Sequence, residues 1–151
     1  MTMVGVVVGA HLTTFEPRYF GPLVTALAAF LVCAGGNCHN DLRDLDSDRI
    51  NHPERSLVTG AVSPKTARLL MGTSYGIALL FAWAVNLYVL AVVATAILLL
   101  TVYNLRGKRW PLVGNLIISS LAGLLFLAGG WATDPRLVFV LPGPLVPAVL
   151  A

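Results

Sequence analysis

Charge is what this chain has least of. Only 11% of its 151 residues are Asp, Glu, Lys or Arg, against about 25% in soluble domains. Apolar residues make up 57%, the mean hydropathy is +0.81, and the apolar residues come in long blocks. These values exclude an ordinary soluble domain and point to a polytopic membrane protein. Cysteine is also scarce. Cys33 and Cys38 are the two present. They lie five apart on one apolar stretch, a poor geometry for a disulfide, and lack zinc-like spacing, so they read as packing residues. The start, Met1-Thr2-Met3-Val4-Gly5, lacks a basic n-region and a cleavage site, so no signal peptide is expected. The basic residues sit in short loops without interleaved aromatics, which argues against a nucleic-acid partner.

Six hydrophobic segments follow from the pattern: 1–13, 21–38, 65–83, 87–103, 112–131 and 137–151. About 20 residues are needed to cross a bilayer core. The first and last are shorter than that, so both ends read as cut edges. Ser63-Pro64 predicts a capped helix start with proline at the first helical position, and Asn86 predicts a turn. The segment 39–68 carries Arg43, Arg49, Arg55, Lys65 and Arg68, and 104–111 carries Arg106, Lys108 and Arg109. The alternate loops hold only Arg18 and Arg136. Alternating spans put the two basic loops on one side, cytoplasmic by the positive-inside rule, in the cell membrane. Trp83, Tyr88, Trp110 and Trp131 fall near span ends, as interfacial aromatics do.

The second span runs directly into Asn40-Asp41-Leu42-Arg43-Asp44-Leu45-Asp46-Ser47-Asp48. On a helix, Asn37, Asn40, Asp41, Asp44 and Asp48 lie within an arc of roughly 100°. Three carboxylates stacked on one face repel one another unless something positive sits between them. An ordinary acidic helix end is a poor alternative. Negative charge there opposes the macrodipole, and carboxylates beside hydrocarbon cost several kcal/mol unless paired. The face therefore reads as a divalent-cation site. Mg²⁺ suits it, because Mg²⁺ takes carboxylate oxygens, keeps waters and is shared with substrate phosphates. Asp41, Asp44 and Asp48 offer ligands at successive turns, and Asn40 and Asn37 add amide oxygens nearer the bilayer. Asp46 points away and is expected to be solvated, with Arg43 and Arg49 flanking the face.

Arg55, in the turn-rich stretch 49–63, is a bidentate phosphate partner by geometry. Arg106 and Lys108 lie on the same face and could neutralise a diphosphate. Asn115 enters the next span near the interface, where an amide needs a partner. His39 reads as structural. An acidic cluster, basic loops on one face and an apolar bundle beneath suit a molecule with a diphosphate head and a long hydrocarbon tail.

The string Asn40-Asp41-x-x-Asp44-x-x-x-Asp48 resembles the first aspartate-rich motif of the UbiA superfamily of intramembrane prenyltransferases. Ile50-Asn51-His52-Pro53-Glu54-Arg55, Gly60-Ala61 and Ser63 resemble its continuation. Tyr103…Lys108…Pro111…Gly114-Asn115 resembles the family's later loop and next span. The resemblance implies an all-α transmembrane bundle of about nine spans around a lipid-accessible cavity, with about six present here. It also implies Mg²⁺-dependent transfer of a prenyl group from its diphosphate. Asn40, Asp41, Asp44 and Asp48 would hold Mg²⁺, and Asn37 would line the cavity. Arg55 and Lys108 would contact phosphate, while Tyr103 and Asn115 would shape the pocket near the reacting carbon.

Ser56 stands where many members have proline. The family's second aspartate-rich motif is expected beyond residue 151, so residues 1–151 read as one incomplete membrane domain. The Ile-Asn-x-Pro-x-Arg continuation resembles the branch of archaeal digeranylgeranylglyceryl phosphate synthases and chlorophyll synthases, which implies geranylgeranyl transfer to a glycerol-phosphate ether lipid. Two alternatives stay open. One is an aromatic acceptor of quinone, tocopherol or chlorophyll type. The other is a non-catalytic module, either a channel piece or a degenerate half. A channel would carry acidic residues facing each other across a pore within the spans, whereas here they cluster at one interface.

Overall fold

Apolar runs without interior proline become helices, and punctuation residues set their ends. A computed structural model describes residues 2–13, 19–106 and 110–134. Five helices make up most of them: α1 (Thr2–Thr13), α2 (Phe20–Asn51), α3 (Pro64–Val85), α4 (Leu87–Leu105) and α5 (Pro111–Thr133). Pro22, Pro64 and Pro111 all fall in first turns, where the missing N–H costs nothing. Ser63 caps α3, its Oγ accepting from Thr66 N at 3.1 Å. Asn86 alone separates α3 from α4, closing the first and capping the second. α2 stops at His52-Pro53 because a residue before proline is steered away from helical backbone.

Four of the helices, α2 to α5, are long and apolar enough to cross a membrane. The protein is an integral membrane protein. Of the about six expected spans, two are not among these four. The 12 residues of α1 make about 18 Å of helix, shorter than a core of about 30 Å. The segment 137–151 lies outside the described residues. α2 is longer than expected, because its 32 residues make about 48 Å of unbroken helix, well beyond a core of about 30 Å. About 20 residues from Phe20 bring the chain to Asn40. The last turns, with Asp41 to Asp48, therefore project past the hydrocarbon, which removes most of the cost of carrying charge.

α2 is the central element. One cluster joins Ala28 and Val32 of α2 to Ala78 and Ala82 of α3 and Val89 and Val93 of α4. A second joins Ala26 and Ala29 to Val6 of α1 and Leu125 of α5. Small residues let the backbones approach, which is the usual basis of helix association where lipid removes the hydrophobic drive. A side chain at Gly9 would run into the Phe126 backbone, and one at Gly129 into the backbone of Val6. At Gly35 it would meet the Tyr75 ring at 2.6 Å. α1 and α5 thus lie against each other in parallel, and α2 to α5 alternate in direction. One end of the bundle collects the C-termini of α2 and α4 and the N-termini of α3 and α5.

A polar head and an apolar cavity joined at two amides

Thr25, Ala29, Val32, Gly36, Asn37 and Asn40 form one stripe of α2 at helical spacing. The stripe lines a cavity of about 390 Å³, shared with α4 (Val92 to Asn104) and α5 (Ile118 to Ala128). Thr25 to Asn40 spans about 22 Å of helix axis. The walls are almost wholly aliphatic. The polar residues Asn37, Asn40, Tyr103 and Asn104 gather at the Asp-rich end. Beyond them opens a second, polar pocket of about 650 Å³, lined by Asp41, Asp48, Glu54 and Arg55 among others. Asn37 and Asn40 line both spaces, so the apolar cavity and the polar pocket adjoin at these two side chains.

The acidic face lies on the projecting end of α2, as its spacing requires. The Asp48 side chain is only 7% exposed, and a carboxylate so covered needs a counter-charge. Arg55 supplies it. Its Nη1 donates to Asp48 Oδ2 at 2.8 Å and to Asp41 Oδ1 at 3.1 Å. The turn after α2 fixes the arginine's backbone. Arg55 N donates to His52 O at 3.1 Å, and Val58 N and Thr59 N donate to Arg55 O at 2.9 Å each. Gly60 at φ +79° is where the chain needs the left-handed region that glycine enters freely. It returns the loop so that Val62 N reaches Ser56 O at 3.0 Å. The bridging guanidinium places positive charge between two carboxylates that would otherwise repel each other.

The other expected residues fall as follows. Asn40 Nδ2 donates to Asp44 Oδ2 at 3.1 Å, so these two act as a pair. Asp46 is 93% exposed and pairs with Arg49 at 2.9 Å. Arg49 therefore serves the solvated side of α2, and the charge between Asp41 and Asp48 is held by Arg55 instead. Tyr103 lines the cavity. Asn115 is exposed on the stripe of α5 that continues through Ile118, Ala122 and Leu125. It sits one turn beyond the cavity and lines neither space. Arg106 is exposed at the C-terminus of α4 and also lines neither. Lys108 lies outside the described residues.

Sequence reasoning passed over Asn104. It is 6% exposed, lines the cavity beside Tyr103 and forms no side-chain hydrogen bond among the described residues. The signal was present: an amide in the last turn of the otherwise apolar α4.

The donors suit a hard cation. Among the described residues no three or more His, Cys, Asp or Glu side chains form a group that could hold a metal ion, so Asp41, Asp44 and Asp48 do not converge on one point as the sequence spacing suggested. Mg²⁺ does not require three converging side chains, since one or two carboxylates commonly share it with waters and substrate phosphates. Asp41, at 44% side-chain exposure, opens onto the polar pocket where phosphates would lie.

Comparison with known proteins matches the model of the UbiA prenyltransferase family to residues 1–151. The digeranylgeranylglyceryl phosphate synthase of Methanopyrus kandleri is 37% identical over 129 residues, 85% of this chain and 47% of that protein. The Thermococcus kodakarensis protein of the same name is 34% identical, over 77% of this chain and 42% of its own length. A solved structure described in terms of digeranylgeranylglyceryl phosphate synthase in membranes superposes with a TM-score of 0.84 and 31% identity, covering 88% of this chain and 48% of that one. The apo structure of a UbiA homolog from Aeropyrum pernix gives 0.77 at 27% identity, with 88% and 49% covered. The chain spans about half the length of these relatives.

Proposed function

This chain belongs to the UbiA prenyltransferase family, and from that premise we propose that it carries the donor-binding part of a prenyl-transfer site. The reaction would move a geranylgeranyl group from its diphosphate to a lipid alcohol such as geranylgeranylglyceryl phosphate. One observation carries the reading: a long aliphatic cavity and a charged pocket meet at Asn37 and Asn40. A tail of four isoprene units has about sixteen main-chain bonds and, at about 1.2 Å per bond, extends about 19 Å. That suits the length of the α2 stripe, with the diphosphate left at Asp41 and Asp48. The names of the relatives support the choice of acceptor.

Asn40, Asp41, Asp44 and Asp48 would hold Mg²⁺, whose chemistry here is to neutralise charge building on the leaving diphosphate. Arg55 and Lys108 would bind phosphate oxygens. Tyr103 would face the allylic carbon as its bond to the diphosphate oxygen breaks, its ring favouring positive charge. The aliphatic walls keep water away. The acceptor oxygen would bond to that carbon, and its proton would pass to the departing diphosphate or to water at the polar pocket. The Asp-rich end would face the cytoplasm, since eight of the ten basic residues flank it.

The test places the full chain in lipid with Mg²⁺, geranylgeranyl diphosphate and a panel of acceptors, and follows diphosphate release. Release dependent on a glycerol-phosphate ether lipid, and lost in both Asp41→Ala and Asp44→Ala, is the expected result. Release that survives both substitutions would end the metal reading.

A further inference from the structure

One nitrogen atom, Arg55 Nη1, holds a carboxylate oxygen of Asp41 at 3.1 Å and one of Asp48 at 2.8 Å. The two aspartates are two helical turns apart, about 10 Å along the axis, yet their oxygens converge on that point. A small cation taken by both would need the same place. The arginine and a metal ion therefore cannot both bridge this pair.

We propose that Arg55 makes the site select the metal–diphosphate complex over either of its parts. The inference rests on the donor-site reading above and deepens it. A metal ion arriving alone must displace a guanidinium that already satisfies a nearly buried carboxylate, so it gains little. A diphosphate arriving alone meets the negative charge of the aspartates and an arginine whose Nη1 is already held by two of them. When both arrive, the metal takes the aspartates and the freed guanidinium turns to the phosphate oxygens in the same pocket, where fork geometry favours it. Neither charge is left unpaired at any stage. The binding of each then strengthens the other, and by linkage the two enhancements are equal. The arrangement also keeps free divalent cations and free phosphate from occupying the site.

The measurement uses the full chain in detergent, with Mn²⁺ as the probe read by electron paramagnetic resonance, with and without inorganic pyrophosphate. The variants are wild type, Arg55→Gln, Arg55→Lys and Arg49→Gln, with Asp41→Asn marking site-specific binding. Arg55→Gln is expected to bind Mn²⁺ alone about fivefold or more tightly than wild type, and to lose most of the pyrophosphate enhancement. Arg55→Lys keeps a charge but not the fork, and should fall between the two. Arg49→Gln should match wild type, because Arg49 pairs with exposed Asp46. Mn²⁺ affinity unchanged or weakened in Arg55→Gln overturns the inference while leaving the metal site standing. So does an undiminished pyrophosphate enhancement. A wild type that binds Mn²⁺ neither alone nor with pyrophosphate overturns the donor-site reading, and this inference with it.

Discussion

The two ends of the helix bundle treat their amides in opposite ways. Opposite the aspartates, Asn86 uses both halves of its side chain within the protein. Its Oδ1 accepts from Val89 N at 2.9 Å, and its Nδ2 donates to Trp131 O, also at 2.9 Å. The Tyr88 and Trp131 rings lie 5.8 Å apart beside it. At the Asp-rich end, Asn37 and Asn104 form no side-chain hydrogen bond among the described residues, although Asn104 is nearly buried. A polar group that is buried and unpaired costs about 1–3 kcal/mol. The amide of Asn86 is spent on closure, whereas those of Asn37 and Asn104 stay free beside the two pockets. If the Asp-rich end serves binding as proposed, substitutions at the two ends should separate binding from stability.

The largest effect is expected at Asp41. Asp41→Asn removes a charge that faces the polar pocket without altering the helix. Turnover should fall by about 100-fold or more, as when a group stabilising transition-state charge is lost, while the thermal midpoint in detergent stays near that of wild type. A midpoint that falls in step with turnover would erase the contrast between the ends. The counterpart is structural. Gly9→Val places a side chain against the Phe126 backbone and should cost about 1–3 kcal/mol or more through overpacking. Asn86→Ala removes a cap and the bond to Trp131, a loss of about 1–2 kcal/mol. Both variants should lower the thermal midpoint yet leave the Mn²⁺ affinity of the protein that remains folded unaltered.

Local chemistry was legible in the sequence. The cap at Ser63, the turn at Asn86 and the polar face of α2 all depend on residues within a few positions, and each expectation matched the helix found. The length of α2 past the bilayer was implicit in the same spacing. The partner of Asp41 and Asp48 was not legible. Arg49 and Arg43 are nearer in sequence, and only the turn through Gly60 and the hydrogen bonds around Arg55 bring a residue 14 positions from Asp41 onto it. The close approach of α1 to α5 was equally hidden. Gly5 and Gly9 share one face of α1, but nothing local says which helix they admit. Asn104 was visible as an interfacial amide, yet its direction into the cavity follows from how α4 packs on α2.

Asn104 offers a smaller and more diagnostic effect. Asn104→Leu removes a cavity-lining amide that forms no side-chain hydrogen bond among the described residues, and so should leave the protein about as stable as wild type. If that amide meets the acceptor's hydroxyl, KM for the acceptor should rise several-fold while pyrophosphate-coupled Mn²⁺ binding stays unchanged. A loss of stability instead would mean that Asn104 belongs with Asn86, as a closure residue at the wrong end.

The smallest effect is expected at Asp46, and it tests whether direction or sheer acidity makes the site. Asp46→Asn and Asp41→Asn remove the same charge from the same helix, five residues apart, but about 140° apart around its axis. Asp46 is 93% exposed and pairs with Arg49 in solvent, and exposed pairs contribute about 0–1 kcal/mol. Asp46→Asn should therefore shift stability by no more than about 0.5 kcal/mol and change Mn²⁺ binding less than twofold at moderate salt, where a charge facing solvent is screened. Were it to weaken Mn²⁺ binding as much as Asp41→Asn does, the cation would be responding to the number of aspartates at this end. The face shared by Asp41, Asp48 and Arg55 would then carry no special geometry.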